Sequence, residues 1–274
     1  MDCGITNLGS CLTEKFFEFL VYVLNQPIKP LLDVIKNLLT EPVNIAVFAE
    51  VWAVVIYILS MFYGFLLLIS GFRFIVSGYS SEQREKAKQE LRNIILMMVF
   101  IQLSFFVYSL ALDLFSSISA VIFNMIDPVF FNITADNLLN IGLEISMLIP
   151  YLISIVLTLL FLTIRYICVS VGVLFFAIGL FFYFINALNS YGKLVLNYLG
   201  VLIALPVFYC MVFLASSKLL EIEIFANLKM LVMTGAFGLV NIGTLFLLLF
   251  VIIKTANAVS GPAKQVATIV SAMA

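Results

Sequence analysis

The chain contains no histidine. That excludes serine–histidine triads, histidine-ligated metals and the commonest proton shuttle. Charge is scarce too: 11% of residues are Asp, Glu, Lys or Arg, against about a quarter in an ordinary soluble domain. The net charge of −1 builds no global field for nucleic acid, so any such contact has to be local. No P-loop is present, and nothing calls for a cofactor. The four cysteines form no metal set. Cys168 and Cys210 stand inside apolar runs; Cys3 and Cys11 are either two unrelated thiols or a pair. The N-terminus lacks the basic start of a cleavable signal peptide, its first lysine being Lys15, so the first full span is expected to act as the insertion signal.

What the chain does have is length without charge. Runs of 22 uncharged residues between Glu50 and Arg73, 20 between Arg92 and Asp113 and 20 between Glu144 and Arg165 come first. Runs of 27 between Arg165 and Lys193, 24 between Lys193 and Lys218 and 24 between Lys229 and Lys254 follow. A helix crosses about 30 Å of hydrocarbon with roughly 20 apolar residues. The sequence therefore predicts an all-α polytopic membrane protein of five or six transmembrane helices. No long polar stretch is left for a soluble domain.

Residues 1–43 are expected to be an extracytoplasmic amphipathic segment, and 44–274 the transmembrane bundle. Ile28, Leu31, Leu32, Ile35, Leu38 and Leu39 share one helical face, with Lys29, Asp33, Lys36 and Asn37 opposite. Pro27 and Pro30 mark its start. Such a helix lies on the membrane surface or docks on another subunit. The hairpin 47–124 follows, with Trp52 as an interface anchor near the start of its first span. Gly64 and Gly71 would let another helix approach closely. The turn 78–93 is the most charged part of the chain, and Ser80 with Gln83 fits a capping box. Arg73, Arg84, Lys86, Lys88 and Arg92 make this turn cytoplasmic by the positive-inside rule, which puts the N-terminus outside. The patch is either a topology signal that meets lipid headgroups or a contact for a strand or an ATPase.

The helix after the turn is expected to run on as one rod. Gln102, Ser109, Asp113 and Ser116 fall on one stripe of it. Intramembrane carboxylates face a bundle interior or water, so the stripe either makes interhelical hydrogen bonds or lines a conduit. Asn132-Ile133-Thr134 matches a glycosylation sequon in the next external loop. Glu144, Tyr151, Thr158 and Arg165 recur every seventh residue on one drifting face. Glu144 and Arg165 are about 31 Å apart along a helix, so each charge would reach an interface. The stretch Tyr166–Tyr191 either crosses or dips and returns. Re-entry places nine Lys and Arg inside and five outside, full crossing eight and six; the balance favours re-entry. Gly261-Pro262 should break the C-terminal segment.

Tyr63-Gly-Phe-Leu-Leu-Leu-Ile-Ser-Gly-Phe-Arg-Phe-Ile-Val-Ser-Gly78 and Ser81-Glu-Gln-Arg-Glu-Lys-Ala-Lys-Gln-Glu-Leu-Arg-Asn93 resemble a known family. It is that of the archaeal TrbL-like inner-membrane components of conjugation-type, type IV secretion-related DNA transfer systems. The family includes the polytopic protein of the crenarchaeal Ced DNA-exchange system. Ile126-Asp-Pro, Thr134-Ala-Asp-Asn137, Arg165-Tyr166 and Ser190-Tyr-Gly-Lys193 extend the likeness over most of the chain. The hairpin 47–124 is also similar to conjugative pilins. The family's prolines before Ser190 are missing here. The resemblance implies a non-enzymatic channel or scaffold subunit in the cytoplasmic membrane. Its partners would be a cytoplasmic ATPase, a small pilin, further subunits or copies, and single-stranded DNA in transit. A small-solute or ion transporter and a pilus assembly protein are the alternatives.

Overall fold

The computed structural model describes residues 8–79, 81–133, 141–186, 188–226 and 228–273. They are all-α, with no strand among the described residues. The helices are α1 (Leu8–Thr40), α2 (Ala49–Val76), α3 (Ser81–Gln102), α4 (Ser104–Phe123), α5 (Ile141–Phe184), α6 (Asn189–Leu219), α7 (Glu223–Ala226) and α8 (Lys229–Met273). Five stretches are long and apolar enough to cross a bilayer: Ala46–Val76, Ser104–Phe123, Ser146–Phe184, Asn189–Leu219 and Lys229–Ile253. The chain is a multi-pass membrane protein.

The sixth charge-free run does not make a separate span. The run before Arg165 and most of the one after it, to Phe184, belong to α5, which is 44 residues long, or about 66 Å. Arg165 ends nothing, because a single long cation is no helix breaker when its head finds a partner. It is 6% exposed, and its Nη1 donates to the Leu38 carbonyl at 3.5 Å. The re-entrant dip is likewise corrected: Tyr166 to Phe184 is unbroken helix. No proline interrupts it, and a break in hydrocarbon would orphan backbone groups. The break expected at Gly261-Pro262 is also absent, since α8 runs through both.

The chain forms two compact units. The first gathers residues 1–42, 115–165 and 205–245. Here α1 starts twenty residues before Ile28 and runs through Pro27 and Pro30. Ile28, Ile35 and Leu39 on its apolar face are at most 2% exposed, so the chain itself covers part of that face, while Leu31, Leu32 and Leu38 stay half-buried. The loop after α4 is drawn into the core. Phe131 stacks edge-on against Phe213 at 5.6 Å and Phe237 at 6.2 Å, and Tyr151 Oη donates to the Phe131 carbonyl at 3.1 Å. Lys229 Nζ donates to the carbonyls of Val129 and Asn132, both at 2.8 Å. Asn25 both donates to Ile133 O and accepts from Ile133 N, so a loop with only a single 3₁₀ turn of its own, Pro128–Phe131, is pinned by side chains.

The second unit holds residues 43–114, 166–204 and 246–274. Its core is Ile56, Leu59, Met97, Ile101, Ala177 and Phe181. Tyr108 is buried and donates to Val169 O at 2.7 Å. The turn 185–188 joins α5 to α6, and Asn186 lines the same cleft as Arg73 and Glu90. Both turns therefore lie at one end of this unit.

The glycines separate by use. A Cβ on Gly192 would come within 2.6 Å of Tyr183 Cα and 2.7 Å of Gly179 O. Rigid backbone cannot yield to it, and the close approach of α6 to α5 depends on the bare Cα. Gly64 and Gly71 meet nothing within 4 Å, so the close packing expected at them is not made within this chain. Gly192→Ala should lower stability by about 2 kcal/mol or more through overpacking. Gly64→Ala should be neutral or raise it by about 0.5–1 kcal/mol through helix propensity. Thermal unfolding of the purified variants reads both, and equal melting temperatures would contradict the α5–α6 contact. Five crossings also return the chain to one side between Lys88 and Lys193. Cysteines at these two exposed positions should react with an impermeant maleimide from the same side, whereas six crossings would separate them.

Candidate functional site

Three constellations carry polar groups into an otherwise apolar chain. The first is the solvated end of the α2–α3 hairpin. A 3₁₀ turn, Ser77–Tyr79, links the helices. Arg73 Nη1 reaches both Glu90 carboxylate oxygens at 3.1 Å. Lys86 pairs with Glu82 one turn back at 2.7 Å, and the Arg84 guanidinium lies 5.8 Å from the Phe74 ring centre. Three of the five predicted basic residues are thus engaged by their own hairpin. Lys88 and Arg92 stand exposed. Ser80, the expected cap of α3, lies outside the described residues. The pairs at this tip are exposed, and each contributes about 0–1 kcal/mol.

The second is the stripe on α3 and α4. The expected single rod is divided at Leu103. Val107 N still donates to Leu103 O and Leu103 N to Val99 O, so the interruption is slight. Gln102 and Asp113 are exposed, and Ser109 and Ser116 are half-buried. As interior residues of a single chain, Gln102 and Asp113 are corrected: they face outward. The inward face is Ile101, Ser104, Tyr108, Leu112 and Ser119. Trp52 belongs to it, because its Nε1 donates to Ser104 Oγ at 2.9 Å. The indole that was expected to anchor at the headgroups has its N–H occupied by an interhelical bond.

The third lies in the first unit and was only half visible in the sequence. Tyr151, Thr158 and Arg165 share one face of α5, as their spacing of seven implied, and that face is buried; Arg165, expected to reach an interface, does not. The side chain of Glu144, the first member of that series, lies outside the described residues. The missed partner is Asn241. Thr158 Oγ1 lies 2.9 Å from Asn241 Oδ1 and 2.8 Å from Ser154 O. Asn241 Nδ2 donates to that same carbonyl at 3.0 Å. Tyr209 Oη lies 2.7 Å from Thr244 Oγ1, whose proton goes to Val240 O at 2.8 Å. A lone Asn in a 24-residue apolar run was the available signal. Its partner is 83 residues away, a separation that no local pattern reports.

The hairpin tip offers exposed cations, the stripe offers outward polar groups, and the α5–α8 network offers satisfied hydrogen bonds that fix helix register. No protein-family model, curated protein or solved structure gives a significant match to this chain.

The register role of Asn241 is open to a double-mutant cycle. Asn241→Ala and Thr158→Val should each cost about 0.5–2 kcal/mol, the range of interhelical polar contacts in membranes. Together they should cost clearly less than the sum, because each removes the same contact. Strict additivity in unfolding measurements would show that the two side chains are not coupled.

Proposed function

We propose that this chain is a non-enzymatic channel or scaffold subunit of a conjugation-like, type IV secretion-related DNA translocation apparatus in the cytoplasmic membrane. One observation carries the reading. The residues of the family resemblance, Tyr63–Gly78 and Ser81–Asn93, fold as a single object, an apolar hairpin with a charged tip. That tip has its internal ion pairs made and leaves Lys88 and Arg92 exposed. A cytoplasmic tip of this kind suits a transfer ATPase or the phosphates of single-stranded DNA, through local charge rather than net charge. It sets the N-terminal helix and the loop after α4 outside.

The outward placement of Gln102 and Asp113 bears on the conduit. A carboxylate is costly against lipid. A polar-walled path using this stripe therefore needs a second copy or a different subunit facing it, alongside the small pilin that the resemblance implies. The same stripe favours the second reading, a small-solute or ion channel, only if the purified chain conducts by itself.

Two measurements separate these readings. Deleting the gene should abolish DNA transfer between cells, and the Lys88→Glu, Arg92→Glu double variant should reduce it severalfold while the protein still reaches the membrane. The purified chain alone in liposomes should show no flux. Wild-type transfer in the deletion strain would sink the proposal, and a flux abolished by Asp113→Asn would establish the channel reading in its place.

A further inference from the structure

The second unit contains a cleft of about 330 Å³ between α2, α3 and the α5–α6 turn. Its floor is apolar, formed by residues such as Ile69, Ile94, Met97 and Phe184. Its rim is polar: Arg73, Glu90, Asn93 and Asn186. Ser70 also lines it. That serine is 2% exposed, and its Oγ is buried with no hydrogen-bond partner. Serine hydroxyls in helices ordinarily donate to a carbonyl three or four residues back, as Ser60 and Ser77 do on or next to this same helix. A buried hydroxyl left unsatisfied costs about 1–3 kcal/mol. Ser70 thus holds an unused hydroxyl in the wall of a cleft with an apolar floor and a polar rim.

The rim supplies charge. Arg73 meets Glu90 through Nη1 alone, and its guanidinium carries further N–H donors in a planar fork suited to phosphate oxygens. The Arg73 side chain is 63% exposed and that of Glu90 30%, so the pair sits at the mouth while Ser70 sits inside. Apolar floor, inner hydroxyl and outer guanidinium follow the order of an amphiphile's parts. The cleft runs along residues 66–73 of α2, in the last turns of the span Ala46–Val76.

We propose that this cleft binds an anionic phospholipid. Acyl carbons lie against the floor, a glycerol or ester oxygen meets Ser70 Oγ, and the phosphate meets Arg73 with Asn93 and Asn186 beside it. Bound lipid would fasten the α2–α3 hairpin to the α5–α6 turn. The inference stands on the cleft alone and does not depend on a role in DNA transfer.

The test uses the full-length protein in detergent and follows its melting temperature on addition of phosphatidylglycerol, phosphatidylcholine or soluble glycerol phosphate. Phosphatidylglycerol should raise the melting temperature of the wild type more than phosphatidylcholine, and glycerol phosphate should leave it unchanged. Ser70→Ala removes only an unsatisfied hydroxyl, so it should fold, and it should lose most of the shift. Arg73→Gln should equalise the two lipids, and Ser60→Ala on the same helix should behave as wild type. An undiminished shift in Ser70→Ala would overturn the site. A full shift with glycerol phosphate would overturn the lipid in favour of free phosphate.

Discussion

Hydrocarbon offers a backbone no hydrogen bonds, and most of this molecule follows from that constraint. A chain with 11% charged residues has little chance to interrupt itself. Once helical it stays so, through Pro150 and Arg165 in α5 and through Gly261-Pro262 in α8. Where the helices do stop, side chains take over the obligation. Lys229 and Asn25 hold the loop after α4, and Tyr151 holds the same loop through Phe131. Hydroxyls within spans, such as those of Thr163 and Ser170, bond to carbonyls four residues earlier. Ser70 is an exception, which is why the cleft beside it carries weight.

The same constraint explains what could be read from the sequence. Charge spacing located most of the spans because a charge inside lipid is costly, and the rule failed at Asp113, which stands inside the span Ser104–Phe123 instead of bounding it, and at Arg165. At Arg165 the cation is buried against a carbonyl of the same unit rather than set at an interface, and spacing alone cannot tell those apart. The amphipathic face of α1 was legible in its period. Its extension back to Leu8 was not, since the local reading made Pro27 and Pro30 a boundary while the packing of the first unit tolerates them inside a helix. The seven-residue face of α5 was legible as one face, because period is a property of one helix; that this face is the buried one was not. The polar stripe was legible only as a stripe: periodicity groups Gln102, Ser109, Asp113 and Ser116 together but does not say which side meets a neighbour.

The polar groups of the candidate sites divide by what surrounds them. Thr158, Asn241, Tyr209 and Thr244 are buried and paired, and they set register. Lys88, Arg92, Gln102 and Asp113 are turned outward, so they are the groups through which another molecule would be met.

The continuity of α5 past Arg165 decides between this architecture and a chain that dips and returns. Spin labels on cysteines replacing Ile167 and Tyr183, with the four native cysteines replaced, measure it directly. Sixteen residues of helix separate the two Cα atoms by about 24 Å, and the account predicts a single distance distribution near that value. A distribution centred near about 10 Å, the spacing of two packed helical arms, would contradict it.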